Sequence, residues 1–368
     1  MSSSDYFSRI DALRFFAFFA VFISHVTFFM AYPAGVKESG TFYNSFLQLG
    51  SLGVSFFFVL SGFLITYYLN KEYLLKKTIS LKKFYVRRIL RIWPLYFLTL
   101  FLAAVVSSLP MARVFSSVDL REFLAHLFLV GNWFRAFYGS ANEMVSVLWS
   151  VAVEEQFYLF WPIIFLLFRK NIKWAIIIGI IVTFIFRWIY AADYDAREYF
   201  SPCLIAYFMI GGFYAIYFDY VNKKIGLLKN NGLFVGLIWM AILLVVRGIF
   251  FKGNFPGWFA GSEPLLYGAS FILFINHAIA HSNKPYLFSS FLEYLGKISY
   301  GLYTFHMIIF MLVKSFIGNS GLASFVLVFC ISLILTFLAA AMSYKFWEKP
   351  FLRLKHKFSF KEEVEMSY

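Results

Sequence analysis

Charged residues are scarce in this chain, at 14% of its 368 residues, where a soluble domain carries about a quarter. That shortage excludes a fold bathed on every side by water. Acidic groups are the rarer sign, 19 Asp and Glu against 33 Lys and Arg. Cysteine is rarer still: Cys203 and Cys330 lie in separate apolar runs, and neither belongs to a ligand-spaced set. No disulfide framework, zinc site or other metal centre is therefore expected. Internal repeats, low-complexity linkers and room for a second globular domain are also missing. The first apolar run, residues 10–32, has no clear small-residue cleavage site and is too long for a signal-peptide core. It is expected to stay as a helix.

Apolar residues, 61% of the chain with 51 Phe among them, fill the space that charge leaves. A hydrocarbon core of about 30 Å takes roughly 20 residues to cross. Ten spans can be drawn, at 10–32, 46–69, 92–106, 145–168, 174–190, 200–218, 233–250, 265–281, 298–317 and 322–344. Residues 118–133 are shorter and carry Asp119, Arg121, Glu122 and His126, which suits a re-entrant or interfacial helix better than an eleventh span. The net charge of +14 sits mostly in alternate loops, as orientation by cytoplasmic Lys and Arg requires, and forms no nucleic-acid face. The expected fold is an all-α polytopic membrane protein with about ten transmembrane helices and both termini cytoplasmic. Residues 1–345 would form the membrane domain and 346–368 a short basic cytoplasmic tail.

Polar residues inside the spans carry the functional information, because each charge near a helix centre costs roughly 2.5–3.5 kcal/mol on insertion scales. Arg14 and His25 are eleven residues apart, which brings them to one face of a helix about 16 Å apart along its axis. An arginine can hold phosphate and a neutral imidazole can take a proton from a hydroxyl, so a long ligand with phosphates at one end would suit this spacing. A snorkelling Arg14 and a structural hydrogen bond from His25 would explain the same residues without chemistry. Ser61-Gly62 removes bulk, for a ligand arm or for close helix packing. Arg87, Arg88 and Arg91 cluster at i, i+3 and i+4 spacing, enough to clamp a polyphosphate or to anchor on anionic lipid. In Trp149-Ser150-Val-Ala-Val-Glu154-Glu155-Gln156-Phe157-Tyr158 the two carboxylates project about 100° apart and cannot serve one pocket equally. Ser150, Glu154 and Tyr158 share a face. Ser299 and His306 are further candidate lining residues. Glu263, His277, Arg187 and Arg247 repeat the signal more weakly and receive no role.

These segments, with Glu348-Lys-Pro350, resemble the acyltransferase-3 family of integral membrane O-acyltransferases, in the family's order and over almost the whole chain. The resemblance implies ten helices, cytoplasmic acyl-CoA (acetyl-CoA above all) as donor, and a carbohydrate or glycolipid acceptor at or beyond the outer face of a bacterial inner membrane. It implies required roles for Arg14 and His25, and donor-phosphate contacts for Arg87, Arg88 and Arg91. The family's Asp-Gly-Leu-Arg reads Asp11-Ala12-Leu13-Arg14 here, and Met307-Ile308 follows His306 where many members have proline. The extracytoplasmic hydrolase-like domain fused to some members has no counterpart in these residues, so transfer is expected alone or with a separate partner. The expected mechanism runs the donor along Ser61-Gly62 toward His25 as general base, with Glu154 or Glu155 orienting the imidazole and Trp149, Tyr158, Ser299 and His306 lining the substrate pocket. Acceptors of another class (lipid, peptidoglycan, a small natural product) fit the same residues. The non-enzymatic alternatives are a transporter of a lipid or sugar conjugate, which would release no CoA, and a membrane scaffold or sensor, which would tolerate loss of Arg14 and His25 together.

Overall fold

The computed structural model describes residues 7–31, 48–108, 118–140, 142–224, 231–250, 256–282, 289–319 and 321–358. Within them every regular element is helical. In chain order these are α1 Ser8–Ala31, α2 Leu49–Lys76, α3 Leu81–Ser107, α4 Leu120–Leu127, α5 Gly131–Tyr138, α6 Glu143–Ser146 and α7 Trp149–Leu167. They continue as α8 Ile172–Ile189, α9 Tyr194–Tyr199, α10 Ile205–Ile216, α11 Phe218–Lys224, α12 Gly232–Phe250 and α13 Gly257–Ala280. The last are α14 Ser289–Lys297, α15 Ser299–Ile317, α16 Leu322–Ser343 and α17 Lys349–His356.

Among the described residues, eight helical segments are long and apolar enough to cross a membrane. The other two expected spans, 200–218 and 233–250, coincide with shorter apolar helices, Ile205–Ile216 and Gly232–Gly248. Pro202 explains the first shortening: it opens a tight turn, Ser201–Cys203, before α10 begins. Residues 118–133 do not form one helix. They fall into α4 and the start of α5, each of eight residues and each too short to span a hydrocarbon core.

The third span begins earlier than the apolar run suggests. The Ser80 side chain accepts from the Lys83 backbone N–H at 3.4 Å and caps α3 at Leu81, so Arg87, Arg88 and Arg91 lie within the helix rather than before it. At the boundary expected near residue 345, α16 passes through a π-helical turn, Tyr344–Glu348, into α17; the rest of the expected tail, 359–368, lies outside the described residues.

The chain divides into two compact units. One comprises Lys76–Leu166 and Ile298–Tyr368, and the other Ser2–Leu75 and Leu167–Lys297. In the first, α15 packs along α16, and α3 receives α15, α17 and the π turn. In the second, α1 lies against α13 and α14, while α8, α10, α12 and α13 pack among themselves. Gly62 of α2 and Gly211 of α10 form a reciprocal close crossing. A Cβ at Gly62 would strike the Phe208 carbonyl, and one at Gly211 the Val59 carbonyl. Only glycine lets the two backbones approach so closely.

Candidate functional site

The arginines of α3 share a helix but not a partner. Arg87 donates to the Phe358 carbonyl at 2.8 Å. Arg88 lies over the Tyr158 ring at 5.3 Å and the Phe84 ring at 5.6 Å, and interacts electrostatically with Glu155 and Glu154. Arg91 interacts with Glu348, the buried carboxylate that the π turn carries inward. The cluster read from spacing is thus drawn toward α7, the π turn and the chain end.

On α7 the two glutamates diverge as the helix geometry requires. Glu155 Oε2 accepts the Trp93 indole N–H at 2.7 Å, while among the described residues no donor reaches its buried Oε1. The Tyr158 hydroxyl donates to Glu154 at 3.4 Å. One turn earlier, Ser150 and the Tyr303 hydroxyl are 2.8 Å apart, and Tyr303 also donates to the Val147 carbonyl at 3.0 Å. Trp149 is half-buried and Ser299 buried at the first position of α15. His306 is fully buried, with its Nδ1–H donated to the Tyr303 carbonyl.

Sequence reasoning missed the aromatic donors. Trp93 holds Glu155, Tyr300 donates to the Ile92 carbonyl at 3.0 Å, and Trp347 donates to the Pro94 carbonyl at 3.0 Å. A Trp or Tyr drawn out of water usually finds a partner for its polar end, and that signal could have found Trp93 and Tyr300; Trp347 is 41% exposed and carries no such signal. Gln156 was passed over too. Its amide donates to the Asn132 side chain and the Leu129 carbonyl, both at 2.9 Å, and so anchors the α4–α5 hairpin on α7. Tyr96 of α3 donates to the His126 carbonyl of that hairpin at 2.7 Å. Burial, with a smaller push from Arg135, drives the His126 ring down to about 3, so it is neutral at physiological pH.

The second unit holds the remaining expected residues. On α1, Arg14 pairs with Asp11 at 3.0 Å. His25 is half-buried one residue beyond Ser24, whose side chain meets α2 at Gly50. Ser61 is half-buried, and the open face of Gly62 is filled by α10. Gly62 therefore serves helix packing, and no donor arm is assigned to it.

The densest charge in this unit lies where no role was assigned. Glu263 takes Arg187 on one oxygen and has Arg247 Nε 3.0 Å from the other. Glu198 pairs with Arg247 at 2.9 Å, with Arg197 at 3.7 Å and Arg187 at 4.0 Å from it. Burial alone would raise the Glu198 carboxyl; the guanidiniums of Arg247, Arg187 and Arg197 outweigh it and hold it below the usual carboxylate range. Among the described residues no three His, Cys, Asp or Glu side chains converge to hold a metal ion.

The family described as "Acyltransferase domain" matches residues 7–345. The chain belongs to the acyltransferase-3 family. Its apolar helices and that membership make it an integral membrane protein. The O-acetyltransferase OatA of Staphylococcus aureus (strain NCTC 8325) is 31% identical over 383 residues, covering 95% of this chain and 58% of the relative. OatA of strain MRSA252 matches equally, and a further Staphylococcus aureus protein (strain COL) is 28% identical over 368 residues, with 94% and 57% covered. The chain thus spans under three fifths of the length of these relatives. No solved structure matches it.

Proposed function

We propose that this acyltransferase-3 protein moves an acyl group, acetyl above all, from cytoplasmic acyl-CoA to a hydroxyl of a cell-surface carbohydrate. The place of action is a bacterial inner membrane, with both chain termini cytoplasmic. The observation that carries the reading is the family match over 7–345, which takes in Arg14, His25, the α3 arginines, the α7 glutamates and His306. The O-acetyltransferase name of the Staphylococcus aureus relatives supports acetyl as the group transferred.

In the proposed reaction Arg14, Arg87 and Arg91 contact the donor phosphates. His25 takes the proton of the acceptor hydroxyl as its oxygen attacks the thioester carbonyl. The thioester C–S bond then breaks, and the imidazolium returns the proton to the departing CoA thiolate. Glu155 supplies a carboxylate with one oxygen fixed by Trp93 and the other free to accept a hydroxyl. Arg88 offsets its charge.

The test supplies radiolabelled acetyl-CoA to membranes holding the protein or its His25→Ala form at matched expression. Label entering carbohydrate only with the intact protein supports the reading. If His25→Ala abolishes transfer while donor binding survives, His25 acts in the chemistry; lost donor affinity makes it a binding residue. Label in lipid instead of carbohydrate moves the acceptor class. No label in any fraction, with no CoA released, overturns acetyl-CoA as donor, in favour of another donor or of transport.

A further inference from the structure

Three guanidiniums and two carboxylates with next to no solvent exposure are costly to assemble inside one helical unit. Arg187 comes from the end of α8, Arg197 and Glu198 from α9, Arg247 from α12 and Glu263 from α13. Arg187 also donates to the carbonyls of Ala260 at 2.7 Å and Arg197 at 3.1 Å. The network therefore ties four helices by side chain and backbone alike. A hydrogen bond also runs from this set to α2: Arg247 Nη1 donates to the Ser51 hydroxyl at 3.3 Å.

Ser51 lies in the first turn of α2, and that turn meets α1. A Cβ at Gly50 would come within 2.8 Å of Ser24 Oγ, and one at Gly53 within 2.5 Å of the Ala17 carbonyl and 3.0 Å of Val21. Ala17, Val21 and Ser24 form one stripe of α1, spaced by four and three residues. His25 follows Ser24 and sits one turn beyond Val21. With two glycines in the crossing, α1 rests on α2 backbone to backbone, and a displaced α2 displaces α1 with it. Packed interiors transmit such shifts because they have no slack to absorb them.

We propose that the Arg187–Glu198–Arg247–Glu263 network is a positioning device for His25. It acts through Ser51 and the Gly50–Gly53 face of α2 to set the depth and rotation of α1. The inference rests on His25 being the general base proposed above only for its kinetic consequence; the positioning itself is independent of it. Nothing in the network touches substrate in this account, and none of its members is a catalytic residue.

The experiment uses the full chain in lipid nanodiscs with carbon-13-labelled histidine. The six ring signals are assigned by single substitution, that of His25 by His25→Gln. Ser51→Ala removes one hydroxyl from a helix that tolerates alanine. It is expected to shift the His25 signal, leave the His306 signal in place, and lower kcat about tenfold with donor KM unchanged, since small misplacement of a reacting group costs rate rather than affinity. Ser51→Thr keeps the hydroxyl and should restore both readouts. Gly50→Ala, which presses on Ser24, should move the His25 signal without touching the network. An unmoved His25 signal in Ser51→Ala, or a Ser51→Thr that restores nothing, overturns the proposal. A His25 signal that shifts in a protein that transfers no acyl group at all would retain the positioning and defeat the reaction reading alone.

Discussion

Replacing Glu263 by glutamine removes the carboxylate on which two buried arginines converge. Three guanidiniums would then face Glu198 alone, in a place where water cannot reach them. Breaking a buried pair from one side costs about 3–5 kcal/mol, because the abandoned charge stays buried. Glu263 serves both Arg187 and Arg247, so the upper half of that range applies. The assay is reversible unfolding in mixed micelles by titration with sodium dodecyl sulfate, read by helical circular dichroism. Pairing Glu263→Gln with Arg187→Met restores the charge balance but leaves the Ala260 and Arg197 carbonyls without that donor, at about 1 kcal/mol each. The double variant should therefore be more stable than Glu263→Gln alone and less stable than the parent. A loss below about 1 kcal/mol in Glu263→Gln, or simple addition of the two single effects, would refute the reasoning.

The His126 ring makes stability in the α4–α5 hairpin depend on pH. Its folded value near 3 lies below the unfolded 6.5, so the stability it contributes is complete above pH 6.5 and is lost as pH falls toward 3, at about 1.4 kcal/mol per unit. Hydrogen exchange of the hairpin amides should speed up between pH 6.5 and 4.5 after correction for intrinsic rates, and His126→Gln should flatten the trend. Gly62→Ala places a methyl against the Phe208 backbone and should cost at least 1–3 kcal/mol, roughly the penalty of overpacking, in the same micelle titration. Gln156→Ala cuts both amide contacts to the hairpin, so exchange should rise at Leu120–Leu127 and Gly131–Tyr138 while α7 stays protected; uniform exchange would contradict the anchoring role.

What the sequence discloses here depends on how far apart the partners lie. The apolar runs place nearly every long helix, since a lipid-facing element needs only its own residues to declare itself. They misplace the start of α3, because the cap at Ser80 and the turn bearing Arg87 and Arg88 are polar and helical at once. The divergence of Glu154 and Glu155 is legible from one helix's geometry. Their partners are not: Trp93 is 62 residues from Glu155, and Phe358 is 271 from Arg87. The buried network fails the same way. Arg187, Arg247 and Glu263 each stand out in an apolar run, yet 76 residues separate Arg187 from Glu263 and 49 separate Glu198 from Arg247. No periodicity links residues across such distances. Gly62 carried both readings, and only the position of α10 decides for packing.

Two kinds of buried charge coexist in the chain, and their saturation separates them. In the unit with α8, α12 and α13, Glu198 and Glu263 each meet at least two guanidiniums within 4.0 Å. Such a set has little left to offer a ligand, and its worth is in fixing helices against one another. In the unit with α3 and α7, Glu155 is held on one oxygen only, by an uncharged indole, with Arg88 stacked on aromatic rings nearby. A buried carboxylate oxygen without a donor costs about 1–3 kcal/mol or more, a cost that a folded protein keeps only where something recovers it. A substrate hydroxyl recovers it by donating to that oxygen. On this argument Trp93→Phe, which frees the second oxygen, should let Glu155 turn away from its set position and lower kcat more than it raises donor KM. A Trp93→Phe variant with unchanged kcat would return Glu155 to a structural role.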